Sequence, residues 1–173
     1  LCDHLQNSGH EVVAAVRRPS GMANEFVVEE DGLTWSQGLL GCDVVVHLAG
    51  RAHVMNEDAV DPLPAFRAAN VDASARLGLL AARAGVRRFV FMSSIKVNGE
   101  RTSLDCPFTP SDVPAPEDAY GVSKWEAEQA LQSIAQASEM ELVVIRPPLV
   151  YGPGVKGNFS RLIEWVRAGV PMP

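Results

Sequence analysis

The chain has 173 residues and a formal net charge of −6, with 47% hydrophobic and 21% charged positions. That is one domain's worth of chain, long enough to bury roughly 70% of its unfolded surface, and its composition is neither disordered nor fibrous. The acidic balance excludes a basic nucleic-acid footprint, so no nucleic-acid partner is expected. Cys2, Cys42 and Cys106 are odd in number and widely spaced, which speaks against both disulfides and zinc, and no metal is expected. The apolar runs fall far short of the ~20 residues of a membrane span. Leu1-Cys2-Asp3-His4 lacks the basic and apolar regions of a signal peptide, so the cytoplasm is the expected compartment.

In chain order, residues 1–8 suit the last turns of a helix, with Gly9 at the left-handed position that commonly ends one. A start on Leu1 inside such a segment implies that something upstream is missing. Short, nearly continuous apolar runs follow at residues 11–16, 43–49, 88–94 and 141–146. Runs of that kind fit strands buried on both faces, as in a parallel sheet covered by helices. Helical spacing appears at residues 70–84, with Val71, Leu77, Leu80 and Ala81, and Gly85 as the stop. It recurs at residues 120–138 and 158–168. Strands alternating with helices of this length predict βαβ units and a doubly wound parallel α/β sheet. Residues 106–116, with Pro107, Pro110, Pro114 and Pro116, predict a surface loop that either covers a site or simply connects.

Three features sit at the C-terminal ends of predicted strands, where open α/β sheets place their ligand crevice. Ser93-Ser94 closes the Phe89-Val90-Phe91 run; strand-end serines also serve merely to bond nearby backbone. Tyr120 and Lys124 are four residues apart and therefore on one helix face. An ammonium beside a phenol stabilises the phenolate and lowers the tyrosine pKa from about 10 toward a value useful for proton transfer. The same pair also occurs on ordinary helix surfaces. His47-Leu48-Ala49-Gly50 follows a buried strand with small residues that let a flat cofactor approach the backbone.

Val46-His47-Leu48-Ala49-Gly50, Asn70-Val71, Phe91-Met92-Ser93-Ser94, Tyr120-Gly121-Val122-Ser123-Lys124 and the run from Arg146-Pro147-Pro148 to Tyr151-Gly152-Pro153-Gly154 occur in the order and spacing of the extended short-chain dehydrogenase/reductases. Over essentially all 173 residues the chain resembles the NAD-dependent epimerase/dehydratase family acting on nucleotide sugars. The resemblance implies that Tyr120 is the acid/base, Lys124 its partner and the holder of the nicotinamide ribose, and Ser94 the hydroxyl that bonds the reacting sugar oxygen. It implies that Leu48, Ala49 and Gly50 line the dinucleotide, that Asn70 supports it, and that Pro147 and Leu149 flank the nicotinamide. Asn158 and Phe159 match the contact with uridine and diphosphate, Lys156 or Arg161 can add charge near the phosphates, and Lys96, Arg51 and His53 lie where they can meet the sugar. A nucleotide-sugar partner, UDP-linked, and a homodimer through the Tyr120 helix are further implications.

The chain departs from that family at several points. Its glycine-rich pyrophosphate turn is absent, as is most of the C-terminal substrate lobe, so residues 1–173 are expected to form a dinucleotide-binding domain without its first strand. Where NAD-preferring members place an acidic residue, this chain has Val16-Arg17-Arg18. Arg17 can hold the 2′-phosphate of NADP, stack on adenine, or be a solvated surface charge, so both NAD and NADP stand as cofactors. Ser94 is followed by Ile95-Lys96 rather than the Asp-Glu pair of the dehydratases, which disfavours water elimination. The expected activity is therefore 4-epimerisation of a UDP-hexose or UDP-N-acetylhexosamine, with 4-keto-sugar reduction by NAD(P)H as the alternative and a noncatalytic NADP-binding module behind both.

Overall fold

The computed structural model describes residues 1–21, 24–28, 33–52, 61–152 and 158–169. In chain order these form α1 (Cys2–Asn7), β1 (Ala14–Val16), β2 (Glu25–Val27), α2 (Leu33–Gly38), β3 (Val44–His47), α3 (Leu63–Phe66), a π-helical segment (Arg67–Asp72) and α4 (Ala73–Arg83). Then come β4 (Arg88–Met92), a 3-10 turn (Ile95–Val97), α5 (Ala119–Gln136), β5 (Glu141–Ile145) and α6 (Asn158–Arg167). All pairings between these strands are parallel, as a doubly wound α/β fold requires. They fall into two sheets, β1-β2 and β3-β4-β5. The sequence reading has no counterpart for β2 and α2. It also starts the helix before Gly85 at residue 70, whereas helical backbone already begins at Leu63, with Pro64 in the first turn where no amide donor is missed.

The core forms on one face of the larger sheet. Register places Val45, Phe89 and Leu142 side by side, and His47, Phe91 and Val144 one step further along. Phe89 and Phe91 of β4 are fully buried, and Leu77 and Ala81 of α4 together with Ala127 and Leu131 of α5 pack into the same cluster. Gly78 makes that packing possible, because a Cβ there would lie 2.6 Å from Leu131 Cδ2. Gly85 ends the α4 turn at φ +79°, the conformation anticipated for a helix stop.

Among the described residues only one face of the larger sheet is covered by helices. Val44, Val46, Val143 and Ile145, which point away from α4 and α5, are between 39% and 47% exposed. Both packing helices lie on the same face, and among the described residues no helix packs comparably on the other. A continuous apolar run records that both faces of a strand avoid water, but not which segment covers each.

His47 closes β3 on the core side. Its Nε2 is 2.9 Å from the Ser74 hydroxyl, and its ring stacks on Phe91 at 5.8 Å. Burial, with a smaller push from the Lys124 ammonium, lowers its pKa to about 4. An unfolded histidine takes its proton near 6.5, so between those values the unfolded state binds more protons and stability falls as pH drops. This group is expected to cost about 3 kcal/mol between pH 7 and pH 4, seen as a stability gap to His47→Gln that shrinks on acidification. Phe89→Ala is expected to lose about 3–5 kcal/mol in urea unfolding, and Val46→Thr less than about 1 kcal/mol; comparable losses would mean that the second face is packed as tightly as the first.

Candidate active site

Alternation along the end of β4 sends two neighbouring serines to different tasks. Ser93 turns inward and its hydroxyl donates to the Glu128 carboxylate, while its amide donates to the Ile145 carbonyl at 2.8 Å. Ser94 is extended (φ −153°, ψ 148°) and caps the following 3-10 turn, accepting from the Lys96 amide at 3.3 Å. The Ile95 amide then donates to the Pro147 carbonyl at 3.1 Å, which holds Pro147 beside the Ser94 turn.

Tyr120 arrives from the other side on the first turn of α5. Asp118 is extended and caps that helix, its Oδ1 accepting from the Gly121 amide at 2.6 Å. Gly121 must be glycine here, since a Cβ would lie 2.9 Å from the Lys96 carbonyl oxygen. The result is a half-buried Tyr120 near enough to Ser94 to feel its hydroxyl, with its ring 6.1 Å from that of Phe66. Lys124, one turn further, is 4% exposed. Its Nζ donates to the Met92 carbonyl at 2.8 Å and lies 4.6 Å over the Phe91 ring. Ser94, Tyr120 and Lys124 are thus brought together at the C-terminal end of β4.

The electrostatics differ from the expectation for a tyrosine paired with Lys124. Burial raises the Tyr120 pKa above its ordinary value, and Asp118 adds to the rise. The Ser94 hydroxyl and the charge of Lys96 act in the opposite direction. Lys124 itself is pulled down to about 8 by burial, against the influence of Glu128. Spacing places Lys124 on the Tyr120 face of α5 but does not reveal how deeply each ammonium is desolvated. Lys96 Nζ, expected to meet the sugar, is held by Glu100 at 2.7 Å and Asp118 at 2.6 Å.

On the β3 side the strand end is open. Leu48, Ala49 and Gly50 are exposed, and a Cβ on Gly50 would approach Asn70 Oδ1 to 3.0 Å and Lys124 Nζ to 3.2 Å. A flat cofactor ring fits where that side chain is missing. Asn70, fully buried in the π-helical segment, accepts from the Arg51 amide at 2.7 Å and donates to the Arg51 carbonyl at 3.0 Å and to Ser123 Oγ at 2.9 Å. Ser123 in turn donates to the Tyr120 carbonyl at 2.8 Å. A π-helical turn often marks such a functional position.

Other predicted residues lie apart. Arg17 is exposed just past the end of β1, in the smaller sheet, and Leu149 is largely exposed beyond β5. Phe159 stacks on Tyr151 at 5.0 Å in α6, where Arg161 is exposed and Asn158 is the first residue. Among the described residues no hydrogen bond, ion pair or ring contact joins this group to Ser94, Tyr120 or Lys124. His53 and Lys156 lie outside the described residues.

Sequence reasoning missed the polar assembly beneath the site. Glu128, 5% exposed, receives Arg146 at 2.6 Å and 3.0 Å, and Arg146 also donates to Asn98 Oδ1 at 3.1 Å. The available signal was Glu128 following Lys124 by four residues on the buried stripe of α5. A cavity of about 690 Å³ flanks this assembly, lined by Phe108, Pro110, Trp125 and Arg146 among others, and Ser94, Tyr120 and Lys124 take no part in it. Trp125 lies 5.8 Å beneath the Arg146 guanidinium. Glu128→Gln, which leaves a buried arginine without its counter-charge, is expected to lose about 3–5 kcal/mol in thermal unfolding. Glu126→Gln, which cuts the more exposed pair with Arg67, is expected to lose less than about 1 kcal/mol.

The model of the NAD dependent epimerase/dehydratase family matches residues 1–171. The UDP-glucose 4-epimerase of Vibrio cholerae is 47% identical over 158 residues, which is 85% of this chain and 48% of that protein. The solved structure of MoeE5 in complex with UDP-glucose and NAD is 32% identical, with a TM-score of 0.78, covering 99% of this chain and 57% of that one. A short-chain dehydrogenase/reductase superfamily protein from Agrobacterium tumefaciens, solved with bound NAD, is 31% identical, with a TM-score of 0.71 over 84% of this chain and 44% of its own. The chain spans less than half the length of the curated relatives it matches. With the family model matching residues 1–171, the chain belongs to the NAD dependent epimerase/dehydratase family.

Proposed function

We propose that this chain is the dinucleotide-binding part of an NAD-dependent nucleotide-sugar 4-epimerase, acting on a UDP-hexose or UDP-N-acetylhexosamine. The observation that carries the reading is the meeting of Tyr120, Ser94 and Lys124 beside a strand end kept open by Gly50. The Vibrio cholerae relative and the UDP-glucose and NAD of MoeE5 support the substrate class and the cofactor. The division of the strands into two sheets fits a domain whose first strand and glycine-rich turn belong to a preceding segment, with a substrate lobe following.

In this reading Tyr120 takes the proton from the sugar's C-4 hydroxyl and later returns one to the same oxygen. Ser94, close to Tyr120 at the same strand end, holds that oxygen while the proton moves. Lys124 fits the nicotinamide ribose: it is a buried ammonium one atom layer from Gly50, with Met92 fixing its direction. Asn70 keeps the backbone of Arg51 in place, so the approach to Gly50 stays open. A bound nicotinamide dinucleotide supplies the acceptor and donor of hydride at C-4. Arg17, exposed past β1, is the residue that would meet the extra phosphate if NADP replaced NAD. Three free cysteines and the absence, among the described residues, of a helix long and apolar enough to cross a membrane fit a cytoplasmic location. A homodimer through α5 belongs to the same proposal.

The test is turnover of UDP-N-acetylglucosamine and UDP-glucose by the full-length protein, with the C-4 configuration followed by NMR. Interconversion without net consumption of NAD(P)H is expected, and Tyr120→Phe is expected to slow it by about 10²–10⁴-fold. NADPH oxidation with a 4-keto sugar, and no interconversion, would replace the epimerase by a reductase.

A further inference from the structure

The turn that carries Ser94 begins at Ser93 and ends at Asn98, and one side chain from β5's end reaches both, the first through a carboxylate and the second directly. Arg146 Nε and Nη2 donate to the two oxygens of Glu128 at 3.0 Å and 2.6 Å, and Glu128 in turn takes the Ser93 hydroxyl. The remaining nitrogen, Nη1, donates to Asn98 Oδ1 at 3.1 Å. Asn98 Nδ2 then donates to the Thr109 carbonyl at 3.0 Å, while the Asn98 backbone amide closes the 3-10 turn on the Ile95 carbonyl at 2.9 Å. Backbone bonds flank the guanidinium as well: the Ser93 amide meets the Ile145 carbonyl before Arg146, and the Ile95 amide meets the Pro147 carbonyl after it. Inside the turn, the Ser94 hydroxyl meets the Lys96 amide at a long 3.3 Å. Its placement therefore depends on where the two ends are fixed.

We propose that Arg146 is a positioning residue: by holding Glu128 and Asn98 at once it fixes both ends of the Ser94 turn, and so sets where the Ser94 hydroxyl meets the sugar oxygen. This rests on the role given to Ser94 in the proposed function. An apolar pair in the same space would stabilise a fold about as well as a buried ion pair does. What the guanidinium adds is direction, because its donors lie in one rigid plane and three of its nitrogens are engaged on two partners. The Trp125 ring lies 5.8 Å beneath that plane, and the Arg146 side chain is 16% exposed. Among the described residues no hydrogen bond, ion pair or ring contact joins Arg146 to Ser94, Tyr120 or Lys124, so its influence runs through the turn.

The experiment places Arg146→Lys and Asn98→Ala in the full-length protein, each alone and each combined with Ser94→Ala, and uses two readouts. Arg146→Lys keeps the charge beside Glu128 but gives up the planar fork, and Asn98→Ala cuts one arm while leaving the buried ion pair whole, so it decides the matter if the first variant fails to fold. The readouts are kcat and KM per folded molecule, and amide hydrogen exchange of the segment 93–99 followed by mass spectrometry. Each single variant is expected to lower kcat by about 10–10²-fold with KM within about twofold, and to speed exchange in the segment by at least about tenfold. On top of Ser94→Ala the same changes are expected to cost less than about twofold in kcat, since the group they position is gone. Losses as large in that background as in wild type, or exchange unaltered in the variants, overturn the proposal. So does a lowered Tm with kcat unmoved, which is what a purely structural ion pair would give. Should Ser94→Ala itself keep full turnover, the use of Ser94 in the epimerase reading fails, while the exchange still decides whether Arg146 holds the turn.

Discussion

A carboxylate buried beneath the sheet's C-terminal edge organises everything above it. Glu128 receives Ser93 from the end of β4 and Arg146 from the end of β5, while its own helix carries Tyr120 and Lys124. A charge so deeply enclosed is tolerated only when it is fully matched, and losing either partner would leave the other desolvated and unpaired. The consequence is geometric. With Ser93 drawn inward, alternation along the strand sends Ser94 outward, and with α5 pinned at its centre, its first turn is delivered to the same place. The hydroxyl pair at the site thus depends on an ion pair that takes no part in the chemistry proposed for it.

Three hydrogen-bonded assemblies divide the remaining work. The Asn70–Arg51–Ser123 group joins the loop after β3 to α5 and leaves Gly50 at the open edge. Lys124 spans from α5 to the Met92 carbonyl and so fixes its ammonium beneath that edge. Lys96 and Asp118 join the two turns in front. Each assembly combines one side chain with backbone groups whose positions secondary structure has already set, so little rotamer entropy is left to lose at the site.

The alternation of strands and helices, the strand-end serine and the Tyr120–Lys124 pair were legible because each is a matter of local spacing. Period and composition carry that information along the chain. What stayed hidden requires distance in space: Arg146 meeting Glu128, Asp118 accepting from both the helix amide and a lysine, and Lys96 pairing with Glu100 and Asp118. Helical spacing places Lys124 on the face of Tyr120, but its burial beside Phe91, which spacing does not reveal, lowers its pKa. The short β2 and α2 lacked the length that makes a periodic signal stand out.

The valine-rich surface of β3 has a bearing on how this polypeptide behaves in company. Among the described residues β3 is an outer strand of its sheet, paired with β4 on one side, and Val44 and Val46 stand in water on the uncovered face. Unpaired amides and carbonyls beside bare valines offer a template to any extended chain that comes near. Such a surface favours association during synthesis or storage unless another strand occupies it first.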